Sequence, residues 1–165
     1  MSLCPVVDEN DRIIGHKLRS QLDPQKDCYR ATALWVTNTR GQVLIAQRHK
    51  SKDKYPEKWG PAVAGTVEKD ETYESNIYKE AEEELGMHSI PFTIGPKMKF
   101  EHPRKHFTQW YTAIFDWEAS AFMLQPTEVE KVAWVDLNDL IDDHAKHSDK
   151  YVPSMGLALD AFTKA

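Results

Sequence analysis

Residues 65–87 read GTVEKDETYESNIYKEAEEELGM, and this segment places a loop directly before a helix. Thr72 is a favourable N-cap residue because its side-chain oxygen can accept a hydrogen bond from the first turn. Gly86 suits the left-handed conformation that commonly follows the end of a helix. We therefore expect a helix that begins after Thr72 and runs to Leu85. Its apolar side is predicted to carry Ile77, Tyr78, Ala81 and Leu85.

Three glutamates share one face of this predicted helix, beside the apolar side. Because an α-helix turns by about 100° per residue, Glu80, Glu83 and Glu84 fall within one narrow sector. Like charges one turn apart destabilise a helix by about 0.2–0.5 kcal/mol per pair, so such a cluster calls for a reason. Divalent cations such as Mg²⁺ prefer oxygen ligands and combine one or two carboxylates with substrate phosphates. The glutamates alone indicate either a metal site or a solvated acidic face.

The spacing of residues 65–87 resembles the Nudix box, Gly-x5-Glu-x7-Arg-Glu-U-x-Glu-Glu-x-Gly-U, in which U is aliphatic. The matching positions are Gly65, Glu71, Glu80, Ala81, Glu83, Glu84, Gly86 and Met87. Lys79 is the one departure, since the family has Arg at this position. The resemblance implies the Nudix fold, an α/β/α sandwich around a mixed β-sheet, here as a single domain over residues 1–165.

The same resemblance implies a site for Mg²⁺ or Mn²⁺ and a role for each residue. Gly65 is implied to present its backbone carbonyl near the metal, with Glu83 and Glu84 as principal ligands. Glu80 is implied to be a further ligand or the general base, and our hypothesis makes it the base. Glu71 is implied to fix the loop geometry. The implied reaction is metal-dependent hydrolysis of a diphosphate bond in a nucleoside-diphosphate-linked or related small phosphorylated substrate.

The flanks of the motif are similar to Nudix proteins close to isopentenyl-diphosphate isomerase. The residues that carry this similarity are Val7, Asp8, Glu9, Asn10, Asp11, Ile14, Gly15, Arg19, Arg48, Lys52, Pro56 and Trp59. The catalytic cysteine of the isomerase belongs just after the tryptophan, whereas residues 59–65 contain none, so we favour hydrolysis. Cys28 is expected to be a small buried thiol rather than a displaced nucleophile. A Nudix-like binding module without turnover is the other alternative.

The charge of the chain is unevenly distributed along the sequence. The 165 residues carry a net charge of −5, which argues against binding a nucleic-acid polymer through a broad basic surface. Residues 48–58 hold five Lys or Arg and two acidic residues, a local charge of +3, whereas residues 68–84 have a local charge of −6. We therefore expect the basic segment to hold substrate phosphates opposite the acidic helix. The predicted substrate-binding residues are Arg48, Lys52 and Trp59.

The remaining composition concerns location and partners. No stretch approaches the roughly 18 apolar residues of a membrane span, and no signal-like start is visible. The two cysteines, Cys4 and Cys28, are too few for a disulfide framework. We therefore expect a cytoplasmic protein with a small phosphorylated substrate and no membrane partner. The hairpin predicted over residues 5–17 offers an edge for a possible homodimer.

The rest of the sequence predicts further strands and helices. Strands are expected at residues 31–37, 43–46, 62–67, 92–101, 107–117 and 131–135, and helices at 136–145 and 154–162. Trp35, Trp110 and Trp134 are predicted to lie in the core. Residues 102–106 are expected to form a turn between two strands. Glu128 stands where many Nudix proteins carry an acid near the metal, and a solvated strand start is its alternative role.

Overall fold

Residues 2–163 are described by the computed structural model, and they form an α/β sandwich around a mixed sheet. The strands are β1 (Leu3–Val7), β2 (Ile13–Leu18), β3 (Tyr29–Thr37), β4 (Gln42–Arg48), β5 (Trp59–Pro61), β6 (Val63–Thr66), β7 (Thr93–Phe100), β8 (His106–Ile114) and β9 (Val129–Asp136). The helices are α1 (Tyr73–Leu85), α2 (Leu137–Lys146) and α3 (Ser154–Thr163). Within the described residues, no helix has the length and apolar character needed to cross a membrane.

Seven strands form the main sheet, in which β3 has a divided set of partners. The order is β5-β4-β3-β8-β7, with β6 paired to β3 and β9 to β4. β3 runs parallel to β8, whereas its other two pairings are antiparallel. The end of β3 pairs with β4 at Val36 and Thr37, but its earlier part, from Ala31 to Leu34, pairs with β6 instead. The sheet therefore divides at this point, with β3 and β6 on one side and β4 and β5 on the other.

The two faces of the sheet pack against different helices. Along β3, Leu34 and Val36 join the core cluster of α1, whereas Ala33 and Trp35 join the cluster of α2 and α3. This alternation follows from the two-residue period of a strand. The helical members of the two clusters are Ile77, Ala81 and Leu85 on one face and Leu140, Met155, Ala158 and Leu159 on the other. Helices thus cover both faces of the sheet.

Helix α1 has the ends that its sequence predicts. The Thr72 side chain accepts from the Ser75 backbone N at 3.0 Å, and Gly86 ends the helix in the left-handed region at φ +68°. Tyr78 differs from the prediction, since it is 37% exposed. It lies at the edge of the apolar stripe, where its ring stacks on Phe92 at a centroid distance of 4.3 Å. Its hydroxyl accepts from the Phe92 backbone N at 2.9 Å.

The strand predicted over residues 62–67 is confirmed as β6, whereas the short strand β5 just before it was not predicted. Pro61 ends β5, because proline has no N–H group with which to continue a ladder. Trp35 and Trp110 are buried as predicted, and Trp134 packs partly buried against the same core as α1. The predicted N-terminal hairpin is confirmed as β1 and β2. β2 exposes Ile13 and Ile14, and the homodimer stays a prediction.

Candidate active site

A cleft of about 920 Å³ opens where the sheet separates between β3 and β4. Glu80, Glu83 and Glu84 of α1 line it, together with Gly65 of β6. The residues that the motif singles out therefore face one space. Arg48, at the end of β4, lines the same cleft from the opposite strand.

Gly65 allows β6 to approach the helix closely. A Cβ atom at this position would lie 2.5 Å from Cγ and 2.8 Å from Cδ of Glu80, closer than real Cβ atoms approach other atoms. It would also lie 3.2 Å from Oδ1 of Asn76. A side chain at position 65 would therefore force the Glu80 side chain to shift from its place in the cleft.

The carboxyl groups of Glu80 and Glu84 lie one turn apart on α1 and interact with each other. Burial, the hydrogen bond with Glu80 and the charges of Glu80 and Glu128 raise the pKa of Glu84 well above its usual range. Burial also raises the pKa of Glu80, although the contact with Glu84 and the charge of Lys79 oppose the shift. Two carboxyl groups so close cannot both ionise without strong repulsion.

Glu128 is brought to this acidic group by the segment that precedes β9. The backbone N of Gln125 donates to the Glu84 carbonyl at 2.9 Å, and that of Met123 to the Leu85 carbonyl at 3.0 Å. These bonds attach the segment to the end of α1. Glu128 then lines the cleft, where its carboxylate is paired with the Lys52 ammonium. The position near the glutamates fits the first of its two predicted roles.

A polar network holds the loop before α1 against the helix. Glu71 Oε1 accepts from the backbone N of Glu68 at 2.7 Å and from Asn76 Nδ2 at 3.1 Å. Asn76 is fully buried, donates to the Thr66 carbonyl at 3.0 Å and accepts from the Thr32 hydroxyl at 2.5 Å. These contacts connect β3, β6, the loop and the helix, which is the loop-fixing role implied for Glu71. The sequence analysis missed Asn76, although a polar residue beside Ile77 on the buried side was a usable signal.

Lys79, which replaces the arginine of the motif, takes part in this network. Its Nζ lies 2.8 Å from Glu71 Oε2, 3.3 Å from Glu68 Oε2 and 3.7 Å from Glu80 Oε1. Burial alone would lower the pKa of Lys79, but the bonds to Glu71 and Glu68 outweigh it and raise the pKa. The lysine therefore remains charged and connects the loop to the helix, although it lacks the planar fork of arginine.

The oxygen atoms of the glutamates and of the Gly65 carbonyl are suitable ligands for a divalent cation, but their present arrangement does not form a metal site. Across residues 2–163, no three Asp, Glu, His or Cys side chains converge into a group that could hold a metal ion as they stand. Glu83 lies exposed and lines the cleft. Coordination would need the carboxylate oxygens of Glu80, Glu83 and Glu84 to turn toward a common point.

The predicted substrate-binding residues have different placements. Arg48 lines the cleft and donates from Nε to the Lys54 carbonyl at 2.9 Å. Lys52 also lines it, but its ammonium is paired with Glu128. Trp59 lies outside the cleft lining, and its role in substrate binding stays a prediction. Its ring packs with the core of α2 and α3 beneath Lys131 Nζ, 5.8 Å from the ring centroid. A large aromatic ring removes more apolar area from water in that core than at a polar cleft.

The predicted turn over residues 102–106 also reaches the cleft. Arg104 lines it, and His106 begins β8 between the rings of Tyr29 and Phe100, at centroid distances of 5.0 and 4.6 Å. Burial lowers the pKa of His106 to about 4, so this histidine is neutral at physiological pH. Arg19, which follows β2, lines the cleft as well. The sequence did not place Arg19 and Arg104 together, because only the folded sheet brings their segments close.

Sequence comparison places this arrangement among known proteins. The NUDIX domain model matches residues 29–155. An uncharacterized Nudix hydrolase of Yersinia pestis is 33% identical over 131 residues, which cover 79% of this chain and 70% of that protein. The uncharacterized Nudix hydrolase YfcD of Escherichia coli is 28% identical over 159 residues, or 96% of this chain and 85% of that protein.

Solved structures agree on the fold. The crystal structure of DR0079 from Deinococcus radiodurans matches with a TM-score of 0.85 at 22% identity, covering 97% of this chain and 99% of that chain. The NUDIX domain of Shewanella oneidensis NrtR, solved with ADP ribose, matches with a TM-score of 0.59 at 19% identity, covering 79% and 92% of the two chains. From the family match and the Yersinia relative, we conclude that this chain belongs to the Nudix family, whose hydrolases act on diphosphate bonds and generally use divalent metal ions.

Proposed function

We propose that this protein hydrolyses a diphosphate bond of a small phosphorylated substrate with a divalent metal ion held at the glutamate face of α1. One observation carries the proposal: a single cleft unites Glu80, Glu83 and Glu84 with Arg48 on the opposing strand. Carboxylates on one side suit a cation, and a guanidinium on the other suits phosphate oxygens. The two sides of the cleft therefore match the two parts of a metal–diphosphate complex.

The residues proposed to hold Mg²⁺ or Mn²⁺ are Glu83, Glu84 and the backbone carbonyl of Gly65, with Glu80 beside them. Bound there, the ion would neutralise phosphoryl charge and lower the pKa of a water molecule. The close approach of Gly65 to Glu80 supports this set, because it brings a backbone acceptor next to the helix face. The carboxylates that repel one another would be stabilised by the same cation.

Glu80 is proposed as the general base. Its carboxyl group lies in the cleft, is partly buried and has Lys79 Nζ at 3.7 Å. Burial raises the pKa of Glu80, which makes its carboxylate a stronger proton acceptor than an exposed glutamate. Glu80 would take the proton of the attacking water, while Arg48 orients the phosphates. Lys52 is proposed to act through Glu128 or, once released from it, on the substrate.

The proposed substrate is nucleoside-diphosphate-linked or a related phosphorylated small molecule. The ADP ribose bound by the Shewanella domain is a compound of this class on the same fold. The location proposed for the protein is the cytoplasm. A closer relationship to isopentenyl-diphosphate isomerase stays a proposal that the motif flanks suggest. Cys28 does not favour isomerase chemistry, because it lines a separate cavity of about 300 Å³ and burial raises the pKa of its thiol.

The test is a screen of nucleotide sugars, dinucleotides, nucleoside triphosphates and prenyl diphosphates with Mg²⁺ and with Mn²⁺, in which chromatography separates the two phosphate-bearing products of diphosphate cleavage. For the best substrate, Glu84→Gln should lower kcat by about a thousand-fold, because it removes a charged metal ligand without changing side-chain shape. Glu82→Gln is the matched control, since Glu82 lies exposed on the same helix outside the cleft lining, and it should stay within about two-fold.

Circular dichroism would show that both variants keep the fold. Near-wild-type turnover in Glu84→Gln would overturn the assigned site. Rearrangement of isopentenyl diphosphate without phosphate release would indicate the isomerase. Metal titration that shows no Mg²⁺ or Mn²⁺ binding would indicate a binding module without turnover.

A further inference from the structure

Four cationic side chains line the cleft and come from four separate segments of the chain. Arg19 follows β2, Arg48 ends β4, Lys54 lies in the loop after β4, and Arg104 lies between β7 and β8. We call these four residues the cation cluster. Their convergence is a property of the fold, since only Arg48 and Lys54 are close in sequence.

The cation cluster makes no direct ion pair with an acidic side chain in the described part of the chain. Among residues 2–163, none of its four members makes an ion pair, although Arg48 Nε donates to the Lys54 carbonyl at 2.9 Å. Lys52 differs, because its ammonium in the same cleft is paired with Glu128. The cation cluster therefore has hydrogen-bond donors available, whereas Lys52 is already used.

Its members are close enough to interact unfavourably. Burial and the charges of Arg104, Arg19 and Arg48 all lower the pKa of Lys54. Burial also lowers the pKa of Arg48, with Arg19 adding to the effect against the charges of Glu128 and Glu84. Like charges that are gathered and partly withdrawn from water destabilise the folded protein unless an anion binds between them.

The glutamates of α1 and the cation cluster are charged regions of opposite sign in one cleft. A diphosphate held through metal at the glutamates would be neutralised largely by that metal. A phosphate group carries a charge of about −1.5 to −2 when it is terminal. Arg48 is already assigned to the cleaved diphosphate, so Arg19, Lys54 and Arg104 match about one or two further phosphates. An uncharged sugar in that part of the cleft would leave the cation cluster unpaired.

We propose that the cation cluster binds phosphate beyond the diphosphate that is cleaved, so that the substrate is a polyphosphate compound rather than a nucleoside diphosphate linked to an uncharged sugar. The proposal rests on the proposed function for the position of the cleaved bond. Its recognition element is separate from the metal ligands. Arg104 and Lys54 are accordingly residues that determine substrate specificity.

The experiment measures binding of inorganic triphosphate by calorimetry in buffer freed of divalent metal with a chelating resin. Wild-type protein should bind, and Arg104→Gln and Lys54→Gln should each weaken binding by about ten-fold, since each removes a charge-assisted hydrogen-bond donor. Arg40→Gln and Lys146→Gln remove the same charges from exposed sites outside the cleft lining and should stay within about two-fold.

Each other outcome overturns the proposal. The cation cluster does not recognise phosphate if wild-type protein fails to bind triphosphate. The same conclusion follows if Arg104→Gln and Lys54→Gln bind as tightly as wild type, or if the two control variants bind as weakly as these two. Glu84→Gln separates this proposal from the proposed function. It should abolish hydrolysis without weakening metal-free triphosphate binding, so active Glu84→Gln would refute the assigned metal site while the binding result stands.

Discussion

Asp11 and Glu84 are both withdrawn from solvent, but they face opposite surroundings. The Asp11 side chain is 9% exposed and accepts from Arg30 Nε at 2.8 Å, Tyr73 OH at 2.8 Å and Lys97 Nζ at 2.6 Å. Glu84 instead lies beside the carboxyl groups of Glu80 and Glu128. One carboxylate is surrounded by donors and the other by acceptors.

The directions of the two pKa shifts express this difference. Burial alone would raise the pKa of Asp11, but its hydrogen bonds outweigh burial and hold it below the usual range. Burial, together with Glu80 and Glu128, raises the pKa of Glu84. A fully compensated carboxylate stabilises the fold, whereas an uncompensated one is kept at a cost in stability. That cost is the physical reason to assign Glu84 to function.

Asp11 connects distant parts of the fold. It lies in the turn between β1 and β2, while Arg30 belongs to β3, Tyr73 to α1 and Lys97 to β7. It adopts a left-handed conformation, with φ at +62°, that brings its carboxylate to these donors. This carboxylate therefore helps to attach the N-terminal hairpin to the main sheet, together with the hydrogen bond from the Val7 backbone N to the Cys28 carbonyl at 2.9 Å.

Replacing Asp11 with Asn tests the carboxylate that is surrounded by donors. This variant should change the stability of the protein more than the other variants do. Asp11→Asn leaves two cationic side chains without their counter-charge, which should lower the free energy of unfolding by about 3 kcal/mol. Urea denaturation followed by tryptophan fluorescence would measure it. Glu9→Gln, at an exposed neighbour in the same turn, is the control and should change stability by less than about 0.5 kcal/mol.

The same variant makes a prediction about pH. Because the pKa of Asp11 is depressed in the folded state, its stabilisation is present above its unfolded pKa of about 3.9 and is lost as pH falls through the folded value. Wild-type protein should therefore lose stability more steeply below about pH 4 than Asp11→Asn does. Parallel acid limbs for the two proteins would show that Asp11 contributes no linked protonation.

Glu71 has a cationic partner in Lys79, as Asp11 has in Arg30 and Lys97. Removing Lys79 should therefore lower the free energy of unfolding, but by less than Asp11→Asn does. Lys79→Met keeps the aliphatic stem but leaves Glu71, Glu68 and Glu80 without the cation that they share. We expect a loss of about 1 kcal/mol, since the lysine is partly exposed and solvent screens its charge. Thermal unfolding would measure it.

Lys79→Arg, which restores the residue of the motif, is the matched control and should stay within about 0.5 kcal/mol of wild type. Equal stability of Lys79→Met and wild-type protein would show that Glu71 is held by its backbone and Asn76 contacts alone. In that case the departure from the motif would have little structural consequence.

Local spacing in the sequence predicts helix α1, its two caps and the common face of its glutamates. Each of these features depends only on residues that are close together in the sequence. The Asp11 network and the cation cluster are not predictable in this way. Arg19, Arg48 and Arg104 meet only after β3 leaves β4 and the sheet opens, which is a property of strand pairing over long sequence distances. Trp59 shows the same limit, since its side of the sheet depends on which neighbours β5 acquires.

Glu84→Gln gives the smallest change in stability but the sharpest contrast, because its sign should be opposite to that of Asp11→Asn. A neutral amide keeps the volume of the side chain and can donate to Glu80, so repulsion with Glu80 and Glu128 falls. We expect a gain of about 0.5 kcal/mol in metal-free protein, measured by urea denaturation beside Glu82→Gln. If Glu84→Gln destabilises the protein as Asp11→Asn does, then Glu84 is a structural carboxylate and the distinction between the two sites fails.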